Sequence, residues 1–305
     1  RALSTVRVLH AHSSSFEPGR FSGRLPMSTA VFLAVIAAAA MHASWNALLK
    51  VRGDRFVMVL LMSFGMGVAA APLLPFVAVP HGVTWHWIAL SVCLQTGYKY
   101  YLTRAYETGD LAVAYPLARG TAPLLTVLGS AVLIGELPGP TTILGIIALC
   151  CGVLLMSLRG HGEAFGGRSV LFALLTSAFI AAYTLTDGTG ARSAADGISY
   201  AVWLFVIDGV ISLALCMGLR GWSAAHIGLA EWRVVLGGGC LAALGYGIAV
   251  WAMTRAPIAA VAALRETSIL FAMILSAVLL GERVTPRRML AALIIVGGVV
   301  ALRLG

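Results

Sequence analysis

The chain of 305 residues is 60% hydrophobic and only 11% charged, with a mean hydropathy of +0.93, whereas a water-soluble domain carries nearer half apolar and a quarter charged residues. This is the composition of an integral membrane protein, and ten spans of about 20 residues would use most of it, leaving no room for a soluble catalytic or nucleotide-binding domain. The formal charge of +9 is scattered between apolar runs instead of gathered into a stripe, which argues against nucleic acid as a partner.

Residues 1–26 are polar, hold four arginines and show no sustained period. They read as a disordered extension upstream of a membrane protein that opens at Met27. A cleaved signal peptide is the rival reading, disfavoured because no basic segment directly precedes the apolar run. From Met27 on, apolar runs bounded by Gly, Pro or charge predict ten helices, at roughly 30–49, 56–79, 85–104, 111–134, 141–158, 169–189, 198–218, 234–254, 258–280 and 287–304. Spanning β-strands would alternate apolar and polar residues, and these runs do not. The expected fold class is therefore an all-α membrane protein of ten transmembrane helices.

Taken in chain order, the spans carry polar residues that need a reason to be there. In the first, His42, Trp45 and Asn46 fall at i, i+3 and i+4 and share one inward face. The third carries Tyr98 and Lys99, and the fourth packs Tyr115, Pro116, Arg119 and Pro123 into nine positions. Two prolines are expected to kink that span, and broken helices at membrane depth point to a binding site. Gly145, Ala148 and Gly152 in the fifth span and Ala291 and Gly298 in the tenth form small-residue seams, which either hold the chain together or support a homodimer. The seventh holds Trp203 and Asp208, and the ninth Arg265 and Glu266.

A charge near the centre of a span costs about 2.5–3.5 kcal/mol on insertion scales. Lys99, Arg119, Asp208, Arg265 and Glu266 together carry a net +1, which suits a substrate with an anionic group. Arg265, a permanently protonated planar fork, is the better anion clamp. Adjacent in sequence, Arg265 and Glu266 point about 100° apart and so require separate partners. Asp208 and Glu266 are the proton-coupling candidates, and the bland alternative is that the arginines pair with these acids to lock helices together. His42, Trp45, Asn46, Tyr98, Lys99, Tyr115, Arg119, Trp203 and Arg265 are the substrate-binding candidates, with Tyr183, Tyr246 and Trp251 as further cavity walls. The five cysteines lie in apolar runs without metal-ligand spacing, and neither a metal nor a cofactor is expected. No phosphate-binding loop or hydrolase motif is present.

The stretch 130–136 (SAVLIGE) returns at 276–282 (SAVLLGE), a shift that also carries Arg119 to Arg265, Thr121 to Thr267, Pro140 to Pro286 and Gly152 to Gly298. Two five-helix halves are expected, residues 27–160 and 161–305. Five is odd, so the second half enters the membrane inverted, the architecture of secondary transporters. Lys and Arg concentrate in the loops after odd-numbered spans, which places those loops in the cytoplasm and both termini outside.

With Gly135-Glu136, Gly281-Glu282 and residues 42–50 (HASWNALLK), this paired arrangement resembles the drug/metabolite transporter superfamily, specifically its EamA-type members, over essentially all of residues 27–305. The resemblance implies a bacterial inner-membrane carrier that exports small metabolites or drugs by alternating access, driven by protons or by exchange, with the bilayer and a small molecule as its partners. A flippase for a lipid-linked anionic headgroup is the alternative.

Overall fold

The computed structural model describes residues 27–48, 54–108, 111–157, 167–222, 227, 229–281 and 284–305. The expected extension at 1–26, together with Lys50 and Glu282 of the quoted motifs, lies outside the described residues. Those residues form an all-helical protein whose α-helices are α1 (Thr29–Leu48), α2 (Arg55–Ala70), α3 (Val83–Thr108), α4 (Leu111–Gly129), α5 (Pro140–Ser157), α6 (Gly167–Ser193), α7 (Gly197–Arg220), α8 (Leu229–Met253), α9 (Ile258–Arg265), α10 (Ser268–Leu280) and α11 (Pro286–Leu304). Among the described residues, seven helical stretches are long and apolar enough to cross a bilayer, from Thr29–Ala47 to Ile258–Val278. α11 is long enough but carries Arg287, Arg288 and Arg303.

Local chemistry explains several boundaries. Asp54 caps α2 by accepting from the Phe56 amide at 2.9 Å, and Thr285 caps α11 ahead of Pro286, whose missing N–H costs nothing at that position. Pro72 and Pro75 turn the end of the second span into a 3-10 segment, Ala71–Phe76. α4 runs as one helix through both Pro116 and Pro123, and a π-helical turn follows at Ser130–Ile134. The predicted ninth span is interrupted between α9 and α10. There the amides of Glu266 and Thr267 bond to the carbonyls three residues back, and the Thr267 hydroxyl also takes the Leu264 carbonyl at 2.7 Å. A side chain competing for a helix carbonyl and a tightened turn replace the regular ladder, with no proline needed.

The recurring S-A-V-L-x-G stretch ends both spans in the same way. Gly135 and Gly281 adopt left-handed φ values of 72° and 64°, a conformation that a side chain would resist, and donate their N–H to the carbonyls of Ser130 and Ser276.

Helices α1–α5 pack chiefly on α6–α11: α5 on α11, α3 on α6, α2 on α7, α1 on α8 and α4 on α6. One core cluster joins Val31 and Val35 of α1 to Ile146 and Leu149 of α5, Ile258, Val261 and Leu264 of α9 and Ile295 of α11. Outward-facing positions are apolar, with Leu133 77% and Val278 74% exposed, as a lipid-facing surface requires. The small-residue seam is used within the chain. A methyl group on either Gly145 or Gly298 would lie 2.8 Å from the carbonyl oxygen of the other, so glycine is what lets α5 and α11 cross at backbone contact.

Replacing Gly298 by Leu is expected to lower stability by about 1–3 kcal/mol through overpacking, while Gly297→Ala, where nothing lies within 4 Å, should leave it unchanged. Thermal melts of the two variants in detergent check the contrast.

Candidate functional site

Side chains from α4, α6 and α9 meet around a small cavity lined by Arg119, Pro123, Thr126, Thr184, Arg265 and Glu266 among others. Its volume of about 10 Å³ is room for one water molecule. Arg119 on α4 reaches Glu266, at the break after α9, with N···O 3.0 Å. Arg265, the preceding residue, turns elsewhere: its guanidinium carbon lies 4.7 Å from the centre of the Tyr246 ring on α8, a cation–π geometry. The two neighbours thus engage different partners, as their angular separation on a helix demands. Arg265 is buried, and among the described residues no carboxylate lies within ion-pair distance of it.

Tyr246 extends this centre into an aromatic cluster. Its ring meets Tyr183 edge-on at 6.1 Å and Phe205 at 5.9 Å, and Tyr183 meets Tyr98 at 5.6 Å. The Tyr246 hydroxyl donates to Asp187 of α6, and the Tyr200 hydroxyl of α7 donates to the other oxygen of the same carboxylate at 3.0 Å. A run of polar contacts therefore passes from α4 through α9 and α8 to α6 and α7.

Two further ion pairs tie helices together. Lys99 on α3 donates to both oxygens of Asp208 on α7, at 2.8 and 2.7 Å, and to Ser212 at 2.8 Å. Near the end of the fourth span, Glu136 accepts from Arg192 of α6 at 3.2 Å and from the amide of Ile258, the first residue of α9, at 3.2 Å. Arg192 also donates to the carbonyls of Met253 and Ala256. The carboxylate is well placed there, since the amides at a helix N-terminus favour negative charge.

With this geometry in hand, the likeness to known proteins is specific. The profile of the EamA-like transporter family matches residues 29–158 and again residues 167–304. The chain belongs to the EamA-like transporter family. It is a multi-pass membrane protein of a transporter family, in agreement with the expectation from sequence. A riboflavin transporter from Brucella anthropi is 35% identical over 116 residues, 37% of this chain and 39% of that protein; the match thus spans well under half the length of the relative. A crystal structure of a protein 20% identical to this one superposes with a TM-score of 0.71, covering 90% of this chain and 96% of that one, a likeness of fold.

Within this family member, the charges singled out from sequence are brought together in two groups. Arg119, Arg265 and Glu266 share the cavity, and Lys99 and Asp208 hold each other. Tyr98, Tyr183 and Tyr246 join the aromatic cluster. His42 meets the Trp45 ring edge-on at 5.0 Å, within electrostatic reach of Arg119 and Arg265. The Asn46 amide donates to the His42 carbonyl of its own helix at 2.8 Å. Trp203 lies apart from the cavity lining, against Trp85 and donating to the Ala78 carbonyl, and Trp251 carries the Arg255 guanidinium over its ring at 5.1 Å. The side chain of Tyr115 lies outside the described residues.

Sequence reasoning assigned no role to Asp187, Tyr200, Glu136 or Arg192. Asp187 falls two residues before the predicted end of the sixth span and so resembles an interfacial acid. α6 runs on to Ser193, and Asp187 is fully buried against its neighbours. The available signal was the glycines of α6: Gly188 lets Ile258, and Gly190 lets Tyr200, approach the helix backbone closely.

Removing one partner of a buried ion pair strands the other charge, typically at a cost of about 3–5 kcal/mol. Lys99→Ala is expected to destabilise the protein by that order, and the double change Lys99→Ala with Asp208→Ala by less than Lys99→Ala alone. A double-mutant cycle on melting in detergent reads the coupling.

Proposed function

We propose that the protein is a secondary carrier of small metabolites, built from two inverted five-helix halves, residues 27–160 and 161–305, that move by alternating access around the Arg119, Arg265 and Glu266 cavity. The twofold family match, the shared ends of the fourth and ninth spans at Gly135 and Gly281 and the packing of α3 on α6 beside that of α1 on α8 support the two-half reading. In this reading α9 and α10 form one broken span, giving ten in all, with both termini outside the bacterial inner membrane.

The observation that carries the site is Arg265. A guanidinium buried in a membrane protein, on a cavity wall and without an acidic partner among the described residues, is poised to receive an acceptor group of a ligand. The aromatic cluster of Tyr98, Tyr183, Tyr246 and Phe205 beside it suits a flat ring. Riboflavin, the substrate named for the Brucella anthropi relative, combines a planar heteroaromatic ring with carbonyl acceptors and is the first substrate to examine. The water-sized cavity corresponds to a closed state, so a ligand enters only when the halves part. A carrier is reversible, and export follows when the driving gradient points outward. Proton coupling or substrate exchange supplies that drive.

The test is uptake of labelled riboflavin, and of pooled amino acids, organic acids, nucleosides and cationic drugs, into proteoliposomes with an imposed pH gradient. Arg265→Ala should lower uptake of the accepted substrate about tenfold or more, the loss of one charge-assisted hydrogen bond, while Phe76→Ala, on the exposed surface, transports like the parent. Uptake indifferent to Arg265 would remove it from the site. Folded protein that carries no pool and instead scrambles anionic lipid would replace this reading with the flippase.

A further inference from the structure

Among the described residues four carboxylates are buried: Glu136, Asp187, Asp208 and Glu266. Three face a cation, namely Arg192, Lys99 and Arg119 respectively. Asp187, wholly inaccessible on α6, is held by hydroxyls instead. Tyr200 donates to Oδ1 and Tyr246 to Oδ2, and Ser91 of α3 faces the same carboxylate. The other charged and titratable groups around it are committed elsewhere. On α3, Lys99 holds Asp208 of α7; on α6, Arg192 turns to Glu136 and Tyr183 stacks on Tyr246; on α9, Arg265 lies over the ring of Tyr246.

A carboxylate in a low-dielectric interior without a counter-charge is expensive in its ionised form and cheap with a proton bound. Hydroxyls serve either form, since each can donate or accept. We propose that Asp187 is the carboxylate that binds and releases the coupling proton, and that Tyr246 transmits its state to Arg265. The proposal rests on the carrier reading above. In the step itself, the ionised carboxylate takes one proton from water on one side of the membrane, forming an O–H bond, and returns that proton to water on the other side. No electrons move. With Asp187 ionised, both tyrosine hydroxyls donate to it. With a proton bound, its own O–H becomes a donor and the protonated oxygen a poorer acceptor, which favours the tyrosine hydroxyl at that oxygen accepting in place of donating. Tyr246 carries Arg265 on its ring, so a change in its hydrogen bond is felt where the substrate would sit. Thr184, one turn before Asp187 on the same face of α6, lines the cavity and marks the route for water.

Two measurements on the full chain test this. In pH-difference infrared spectra, the parent and Asp208→Asn are expected to show the carbonyl stretch of a protonated carboxylic acid, and Asp187→Asn to lack it; a band unchanged in Asp187→Asn overturns the proposal. In proteoliposomes with riboflavin as the probe, Asp187→Asn should keep counterflow at equal pH and lose the accumulation driven by a pH gradient. Loss of both modes, or retention of both, makes Asp187 a structural tie and overturns the proposal. If the parent carries no riboflavin, the substrate reading has failed and the infrared result alone decides on Asp187. Should Asp187→Asn not fold, Tyr246→Phe keeps the ring beneath Arg265 and removes one hydroxyl from the carboxylate. The acid band is then expected to shift in frequency, and an unshifted band counts against the proposal.

Discussion

The arrangement of this protein follows from the cost of carrying charge into a medium that does not solvate it. Each buried cation and anion has to be answered from another helix, and the answers define which helices meet. Glu266 at the end of α9 is answered by Arg119 on α4, Asp208 on α7 by Lys99 on α3, and Glu136 by Arg192 of α6 and the first amide of α9. In every case one partner comes from α1–α5 or the turn that follows α4, and the other from α6–α11. The ionic contacts therefore run across the middle of the molecule, while the outward faces are left to apolar side chains.

Such contacts coexist with close helix packing of a different kind. α5 and α11 touch backbone to backbone at Gly145 and Gly298, a dispersion-driven seam with little tolerance for added volume. The polar centre is the opposite: it contains a break after Arg265, an arginine on an aromatic ring and a water-sized cavity. A rigid seam beside a centre that can exchange partners is the mechanical requirement of the proposed carrier, because halves that rock need one place to stay fixed and another to change. Among the described residues, Arg265 and Asp187 are the two charged groups of that centre without an ionic partner, and both touch Tyr246. This is why substrate and proton are assigned to neighbouring positions on a single tyrosine.

The likeness to other proteins reaches different depths. Family membership rests on both halves of the chain, the fold on a superposition covering nine-tenths of it, and the flavin idea on 116 residues of one relative together with the tyrosines.

Sequence by itself determined that this is a helical membrane protein of the EamA-like family, and it picked out Arg119, Arg265, Glu266, Lys99 and Asp208, because composition and the cost of intramembrane charge are local properties of a chain. It also exposed the recurring turn at Gly135 and Gly281, since a left-handed cap leaves a glycine at a fixed offset. Only the tertiary structure decided who meets whom. The prolines of α4 are carried within one helix, while the interruption at Thr267, where a hydroxyl competes for a carbonyl, has no proline to announce it, and Trp203, an inward candidate by sequence, sits against Ala78 and Trp85. Asp187 escaped notice because whether an acid near the end of a span is wet or enclosed depends on neighbouring helices: Tyr200 and Tyr246 arrive from α7 and α8. Pairing across the bundle is a property of three-dimensional proximity between residues on different helices, and no local pattern encodes it.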